Sequence, residues 1–456
     1  MPSMTTAATM NAPTRTSAVL DDAGLDASLL PAGPAMLTSI RRQAMEAFNR
    51  LGIPTTRDEN WKYTSLKPLL KAGLSLRAPE AKSVTEQDIR RFALPDVCGV
   101  RLVFINGRLR RDLSTVERLE PGVSVMTLAE ALQRAPELVT KHLARHNAFE
   151  QDAFSALNTA LFDDATVIHF ARDVIASEPI TLLNVSSVAE GAGFVTHPRL
   201  LIVAEESSRG LVIEDQVSLG DGPHLTNAVT EVNVGPDADI SHCYLARENG
   251  AAFDISTLTA VQGRNSRFAS HSMLLGGAIV RNNVNPILDG ENGHGLLNGL
   301  YVGRGAQHLD NHMRVEHRKP HCDSRQYYRG ILADQSHGVF TGRIIVSPGA
   351  QKTDAVQSSQ NLLLSDAAQA QTRPQLEIYA DDVKCTHGAT IGRLDEDALF
   401  YLLSRGVSRV DANALLVYAF AGEMLGRIEH DALRRAVTHL VIDRLPDSGN
   451  LHETVG

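Results

Sequence analysis

Cys385 and His387 stand two positions apart in the segment Asp381-Asp382-Val383-Lys384-Cys385-Thr386-His387-Gly388. On an extended backbone, side chains two apart leave the same face, so a thiol and an imidazole would emerge side by side. Such a pair can ligate soft or borderline metals or hold sulfane sulfur, and Lys384 and His387 stand where they could lower the thiol pKa. Two donors leave a tetrahedral site half built, and the missing ones would have to come from a partner if this chain does not supply them. The same spacing also suits an ordinary Cys and His on an end strand at a protein interface, and spacing alone leaves both readings open. The histidines are concentrated as well: of 17, five fall at His308, His312, His317, His321 and His337, with Cys322 beside His321. In an extended strand His308, Asp310 and His312 share one face and His317 takes the other. That face could be a metal or metal–sulfur site, or a polar surface whose imidazoles bond to Asp310 and neighbouring strands. No G-x-x-x-x-G-K-[ST] loop occurs, so no nucleotide is expected to bind this chain through a P-loop, and G-x-S-x-G and H-E-x-x-H are absent too.

The elements that must position these residues fall into three regions. Helical periodicity marks the N-terminal part, where Leu37, Ile40, Ala44 and Phe48 fall on one face, with Arg41, Arg42 and Glu46 opposite. Thr127-Leu128-Ala129-Glu130 reads as a capping box, and Pro136 should interrupt the helix it opens. Val100 to Ile105 reads as a strand with Asn106-Gly107 as the turn after it, and Trp61 as a packing anchor. At the C-terminus Asp395 and Ser408 cap two predicted helices, with Gly406 stopping the first, and Leu433, Ala436, Val437, Leu440 and Val441 mark a third. A bundle this small has little core of its own and should lean on something else. Between the helical ends, short β-favouring segments recur from about Thr166 to His387, separated by Gly, Asn and Asp turns. A propeller, a large sandwich or a β-solenoid would accommodate them, and a solenoid with loose repeats best fits their irregular spacing. The expected organisation is a flexible tail over residues 1–33, a helical region with a hairpin over 34–165, a core over 166–390, a helical domain over 391–446 and a flexible tail over 447–456.

Composition bounds the rest. The 456 residues are 43% hydrophobic and 21% charged with a formal net charge of −9, which argues for a globular chain and against nucleic-acid or anionic-membrane binding. No apolar run is long enough to span a bilayer, and the N-terminus lacks a basic and then apolar secretory leader. Four scattered cysteines without C-x-x-C spacing suit a reducing compartment, so a cytoplasmic location is expected.

Longer stretches carry a resemblance. The DENWKYTSL segment, FSALNTALF at Phe154–Phe162 and DNHMRVEHRKPHCDSRQYYRGIL at Asp310–Leu332 resemble the SufB/SufD family of iron–sulfur cluster assembly proteins. So do GVFTGRIIVSPGAQKTDAVQSSQNLLLSD at Gly338–Asp366 and PQLEIYADDVKCTHGATIGRLDEDALFYLLSRG at Pro374–Gly406, and the WKYTSL-type segment points to the SufD branch. The resemblance implies a right-handed parallel β-helix core between N- and C-terminal helical regions. It implies a non-catalytic scaffold that pairs with a SufB-like paralogue through the β-helix end and with a SufC-like ABC-type ATPase through the C-terminal helices. ATP hydrolysis would then belong to the ATPase partner. Carried over by residue, it makes Cys385 and His387 the candidate ligands of a transient iron–sulfur cluster shared with SufB. A reduced flavin is bound by some complexes of the family, though nothing in this chain resembles a flavin fingerprint. Two other readings are a stand-alone β-helix carbohydrate-active enzyme drawing on Asp381-Asp382, whose side chains would leave a strand on opposite faces, and a purely structural paralogue that holds SufB.

Overall fold

The computed structural model describes residues 19–21, 24–81, 83–116, 119–188, 193–446 and 448–451. Its centre is a β-solenoid. The chain shuttles between two sheets, laying one strand on each per circuit, so that residues from successive circuits stack in parallel register. Sheet one runs from Val100–Ile105 through Ile180–Ser187, Arg209–Leu219, Asp239–Ala246, Arg267–Leu274, His294–Gly303, Asp323–Leu332 and Asp354–Leu363 to Lys384–Gly392. Sheet two runs from Thr166–Phe170 through Arg199–Ala204, His224–Val234, Phe253–Gln262, Ile279–Leu288, His308–His317 and His337–Val346 to Gln369–Ile378.

Three apolar layers hold this together, because the strands of the earlier circuits are covered on both faces, as parallel sheets require. Between the sheets lie Tyr244, Phe268, Leu297, Tyr301, Tyr328, Leu309, Met313 and Phe340. Gly330 has no side chain because a Cβ there would sit 2.3 Å from the Tyr301 ring. The outer face of sheet two, through Leu225, Phe253, Ile255 and Ile279, takes Phe48, Trp61, Phe154 and Leu157 of the N-terminal helices. The outer face of sheet one, through Ile213, Met273, Leu300 and Ile331, takes Val417, Ala421, Met424, Leu433 and Val437 of the C-terminal helices. The small C-terminal bundle does lean on the solenoid. Arg427 stacks 3.8 Å over the Tyr327 ring and Asn298 Nδ2 donates to the Met424 carbonyl at 3.0 Å.

The turns explain why Asn, Asp and Gly punctuate the central sequence. At one corner Ser207, Asp237, Asn265, Asn292, His321 and Lys352 stack, one per circuit, all in the left-handed region with φ of 54–62°. Each N–H reaches the carbonyl of the residue before the next member, from Ser207 to Pro236 through His321 to Gln351. Asn and Asp tolerate that conformation best after Gly.

Local signals elsewhere are realised. Thr127 and Glu130 close a capping box on helix Leu128–Arg134, and Pro136 starts a separate helix to His142. Asp395 and Ser408 cap the helices Glu396–Ser404 and Arg409–Leu425. Three features depart from expectation. Arg41 does not face solvent: its guanidinium is buried, donates to the carbonyls of Pro31, Ala32 and Phe162, and lies over the Phe162 ring. The N-terminal region is also not only helical with a hairpin, since Val100–Ile105 continues sheet one and Val123–Thr127 pairs antiparallel with Thr166–Phe170. The proposed tails are partly anchored: Leu20, Leu25 and Leu451 are buried, while residues 1–18, 22–23, 447 and 452–456 lie outside the described residues.

The interior holds titratable groups whose charge is suppressed. Burial lowers the pKa of His271 and of His317 from 6.5 to about 4. The unfolded chain therefore binds more protons than the folded one between those values, and stability rises with pH across that window. The contribution is complete above about pH 6.5 and is lost as pH falls toward 4. Urea unfolding midpoints should drop steadily from pH 7 to pH 5, and a His317→Gln variant should show a shallower drop; equal slopes would rule out a role for His317.

Candidate functional site: the open end of the solenoid

Among the described residues the last strand of each sheet has a neighbour on one side only. Lys384–Gly392 pairs with Asp354–Leu363, and Gln369–Ile378 pairs with His337–Val346; among the described residues neither sheet continues beyond them. Parallel ladders alternate, so each residue directs both backbone groups to one neighbour. Lys384 N–H bonds Thr353 O at 2.8 Å, which turns the backbone groups of Cys385, His387, Ala389 and Ile391 toward the open side. The equivalent bond from Gln369 to Ser336 O turns position 374 outward on sheet two, and that position is Pro374. One edge is thus blunted by proline, whereas the other is free to accept a strand.

Cys385 and His387 are brought together on this free edge. They stack on Ala355 and Gln357, which are buried members of the inward-facing row of their strand, so the thiol and imidazole top the lumen at its open mouth. Behind His387, Gln357 Nε2 donates to Gln326 Oε1 at 3.0 Å, while Gln357 Oε1 has no hydrogen-bond partner among the described residues. Cys385 is half-buried against Leu376, Val383 and Ala355, and His387 is exposed. The expectation that neighbours lower the thiol pKa is corrected. Burial raises it, the Asp354 carboxylate adds to the rise, and the hydrogen bond from the Ala355 backbone offsets only part. In the isolated chain Cys385 is therefore a protonated thiol at neutral pH, and it becomes a good ligand only when a cation or positive group approaches.

The same end of the solenoid exposes large apolar side chains. Ile378, Tyr379 and Ile391 are exposed, with Tyr379 at 62%. Sequence patterning missed these three because an end strand carries the same alternation as an inner one. A second apolar patch lies on the C-terminal helices, where Phe400, Tyr401 and Val410 are exposed, Phe400 at 72%. The connection from Gly392 to the helix at Glu396 is short, so the helix bearing Phe400 and Tyr401 follows closely on the last strand.

The remaining sequence candidates divide between the lumen, a corner and the outer face of sheet two, where His308 and His337 meet. His317 faces the lumen and lies 2.9 Å from Ser324 Oγ, His321 occupies the left-handed corner, and the Cys322 thiol points to Gly290 O at 3.2 Å. His308, His312 and His337 lie on the outer face of sheet two. Among the described residues no group of three or more His, Cys, Asp and Glu is placed to hold a metal ion. Asp381 and Asp382 sit in the turn before the last strand, and Asp382 is tied to Lys352, so they do not face each other across a groove. No helix among the described residues is long and apolar enough to cross a membrane.

Comparison with known proteins covers most of the chain. Residues 187–420 match the family model described as the SUF system FeS cluster assembly, SufBD core domain, and residues 27–182 match the SufBD protein N-terminal region. The chain is 34% identical to the iron–sulfur cluster assembly protein SufD of Escherichia coli, covering 89% of this chain and 92% of that protein. A SufBD family protein of Synechocystis is 31% identical over 86% of this chain and 88% of its own length. The SufD protein of Bacillus subtilis is 26% identical over 90% and 94%, respectively.

Proposed function

The chain belongs to the SufB/SufD family of iron–sulfur cluster assembly proteins, on its SufD side, and from that premise we propose that it is the scaffold subunit of a complex with a SufB-like paralogue and a SufC-like ATPase. The observation that carries this reading is the open mouth. A thiol and an imidazole stand on a strand edge with free backbone groups, at the end of the solenoid where Ile378, Tyr379 and Ile391 are also exposed. A paralogue adding its own end strand would satisfy those backbone groups, cover the apolar side chains and supply the donors that two side chains cannot. The nascent cluster is then cargo held across the seam, with His387 as the more accessible donor and Cys385 deprotonating as iron or sulfur arrives.

The exposed Phe400, Tyr401 and Val410 suit an ATPase partner. Its nucleotide-driven movement would be transmitted through the short link after Gly392 to the strand carrying the pair, opening the seam to iron and sulfur. In this arrangement the chain supplies surface and ligands, and the energy comes from its partner.

The test is cluster assembly in the purified complex. His387→Ala should leave the complex intact and lower iron and acid-labile sulfide per complex by about tenfold or more, since even the loss of an outer partner of a ligand costs a metal site about 10- to 100-fold. An intact complex with the wild-type load would leave only the purely structural reading, in which this chain holds its paralogue without touching the cluster.

A further inference from the structure

The outer face of sheet two carries an arrangement distinct from the open mouth. Thr64, in the segment Asp58-Glu59-Asn60-Trp61-Lys62-Tyr63-Thr64, is buried with its hydroxyl 2.6 Å from Asp310 Oδ2 and 2.8 Å from His308 Nε2. Asp310 is paired with the Arg281 guanidinium at 2.6 Å, with both side chains sealed from solvent. An ion pair so placed keeps Asp310 a carboxylate, which only accepts hydrogen bonds. The single hydroxyl hydrogen of Thr64 therefore goes to Asp310, and the Thr64 oxygen accepts from His308 Nε2–H. That fixes the tautomer: Nδ1 of His308 carries a lone pair.

This lone pair faces Nδ1 of His337 at 3.1 Å. The other nitrogen of His337, Nε2, meets the side-chain oxygen of Gln371. Donating there, His337 also presents a bare Nδ1. Two lone pairs at that separation repel unless something positive lies between them. The rings indicate what fits. Their centroids are 4.7 Å apart and their planes 80° apart. A proton on a straight line between the nitrogens would set the centroids roughly 5.4 Å apart, since hydrogen bonds favour linearity. Lone pairs converging on an ion about 2.1 Å from each nitrogen would subtend about 95° and bring the centroids to about 4.7 Å.

We propose that His308 and His337 form a two-imidazole site for a divalent first-row transition-metal ion. Both side chains are only half-buried, which leaves room for water to complete the coordination. Imidazole donors suit zinc, iron, nickel and copper, and a near-right-angle pair suits an ion of higher coordination number. Thr64 and Gln371 are the positioning residues: each holds the outer nitrogen of one ring, as the outer partners of metal-bound histidines do. The N-terminal segment clamps the site, with Trp61 4.0 Å from the Arg281 guanidinium and Glu59 paired with Arg373 of the last strand of sheet two.

The experiment uses the full chain, freed of metal by chelator and titrated calorimetrically with Zn²⁺, beside crystals soaked in Zn²⁺. An anomalous peak between the two Nδ1 atoms is expected. His308→Gln and His337→Gln should each remove a binding step seen in the wild type, and Thr64→Val, which leaves both ligand atoms in place, should weaken that step about 10- to 100-fold. A crystal without the peak, or isotherms identical across wild type and variants, would overturn the proposal and leave a shared proton between the rings. The soaked wild-type crystal decides the matter even if a variant fails to fold.

Discussion

Ala389→Pro should abolish recovery of the paralogue complex while leaving the chain folded. Ala389 lies on the terminal strand with its backbone groups turned to the open side, so proline there removes no bond to Asp354–Leu363. It does remove a donor that an incoming strand needs, and its ring obstructs the approach. Losing two or three main-chain bonds at about 1 kcal/mol each amounts to roughly a hundredfold in affinity. Pro374 shows that this fold accepts proline at an outward position of an end strand. Thr390→Pro is the contrast, because position 390 bonds inward and its loss should lower the melting temperature as well. Gel filtration of the co-expressed pair with thermal unfolding of the single chain reads both. Undiminished recovery of the complex with Ala389→Pro would show that the partner does not add to this strand.

Arg199→Leu should be the most destabilising single change considered. Arg199 and Glu231 form an ion pair with side-chain exposures of 0% and 1%. Arg199 Nη1 also donates to Asn158 Oδ1 and Thr159 Oγ1, and the Glu231 carboxylate accepts from the N–H groups of Ala144, Arg145 and His146. One guanidinium thus joins helix Ala153–Leu161 and the loop after His142 to sheet two. Leucine would leave a buried carboxylate without its counter-ion, at a cost of about 3–5 kcal/mol, against a total near 5–15 kcal/mol for typical domains. Urea unfolding should show a much lower midpoint with an unchanged slope. Arg209→Leu, which breaks the exposed pair with Asp239, should cost less than about 1 kcal/mol. Equal effects from the two would mean that the buried pair is not what fastens the helical region.

Much of this was legible in the residue order. Helix caps, the Pro136 break and the turn residues follow from local chemistry, the strand spacing favoured a solenoid over a propeller or sandwich, and Cys385 and His387 do share one face of a strand. Contacts made by stacking were not legible. His308 and His337 are 29 positions apart and meet only because one circuit of the chain has that length. The circuit length varies from coil to coil, so no fixed repeat announced it. Arg41 was misread for a related reason: helical periodicity assigns a charge to solvent and has no means of seeing three carbonyls waiting for it. The thiol pKa was misjudged because adjacency in sequence favours Lys384, whereas folding sets Cys385 against Ala355 and near Asp354.

The asymmetry between the proline-bearing edge and the free one bears on how the chain is kept in a cell. A solitary copy presents an adhesive ribbon that any other extended polypeptide can lengthen, including a twin of itself. With the paralogue partner proposed above, matched synthesis of the two is the cheapest safeguard, and an excess of this chain alone should drift into self-association.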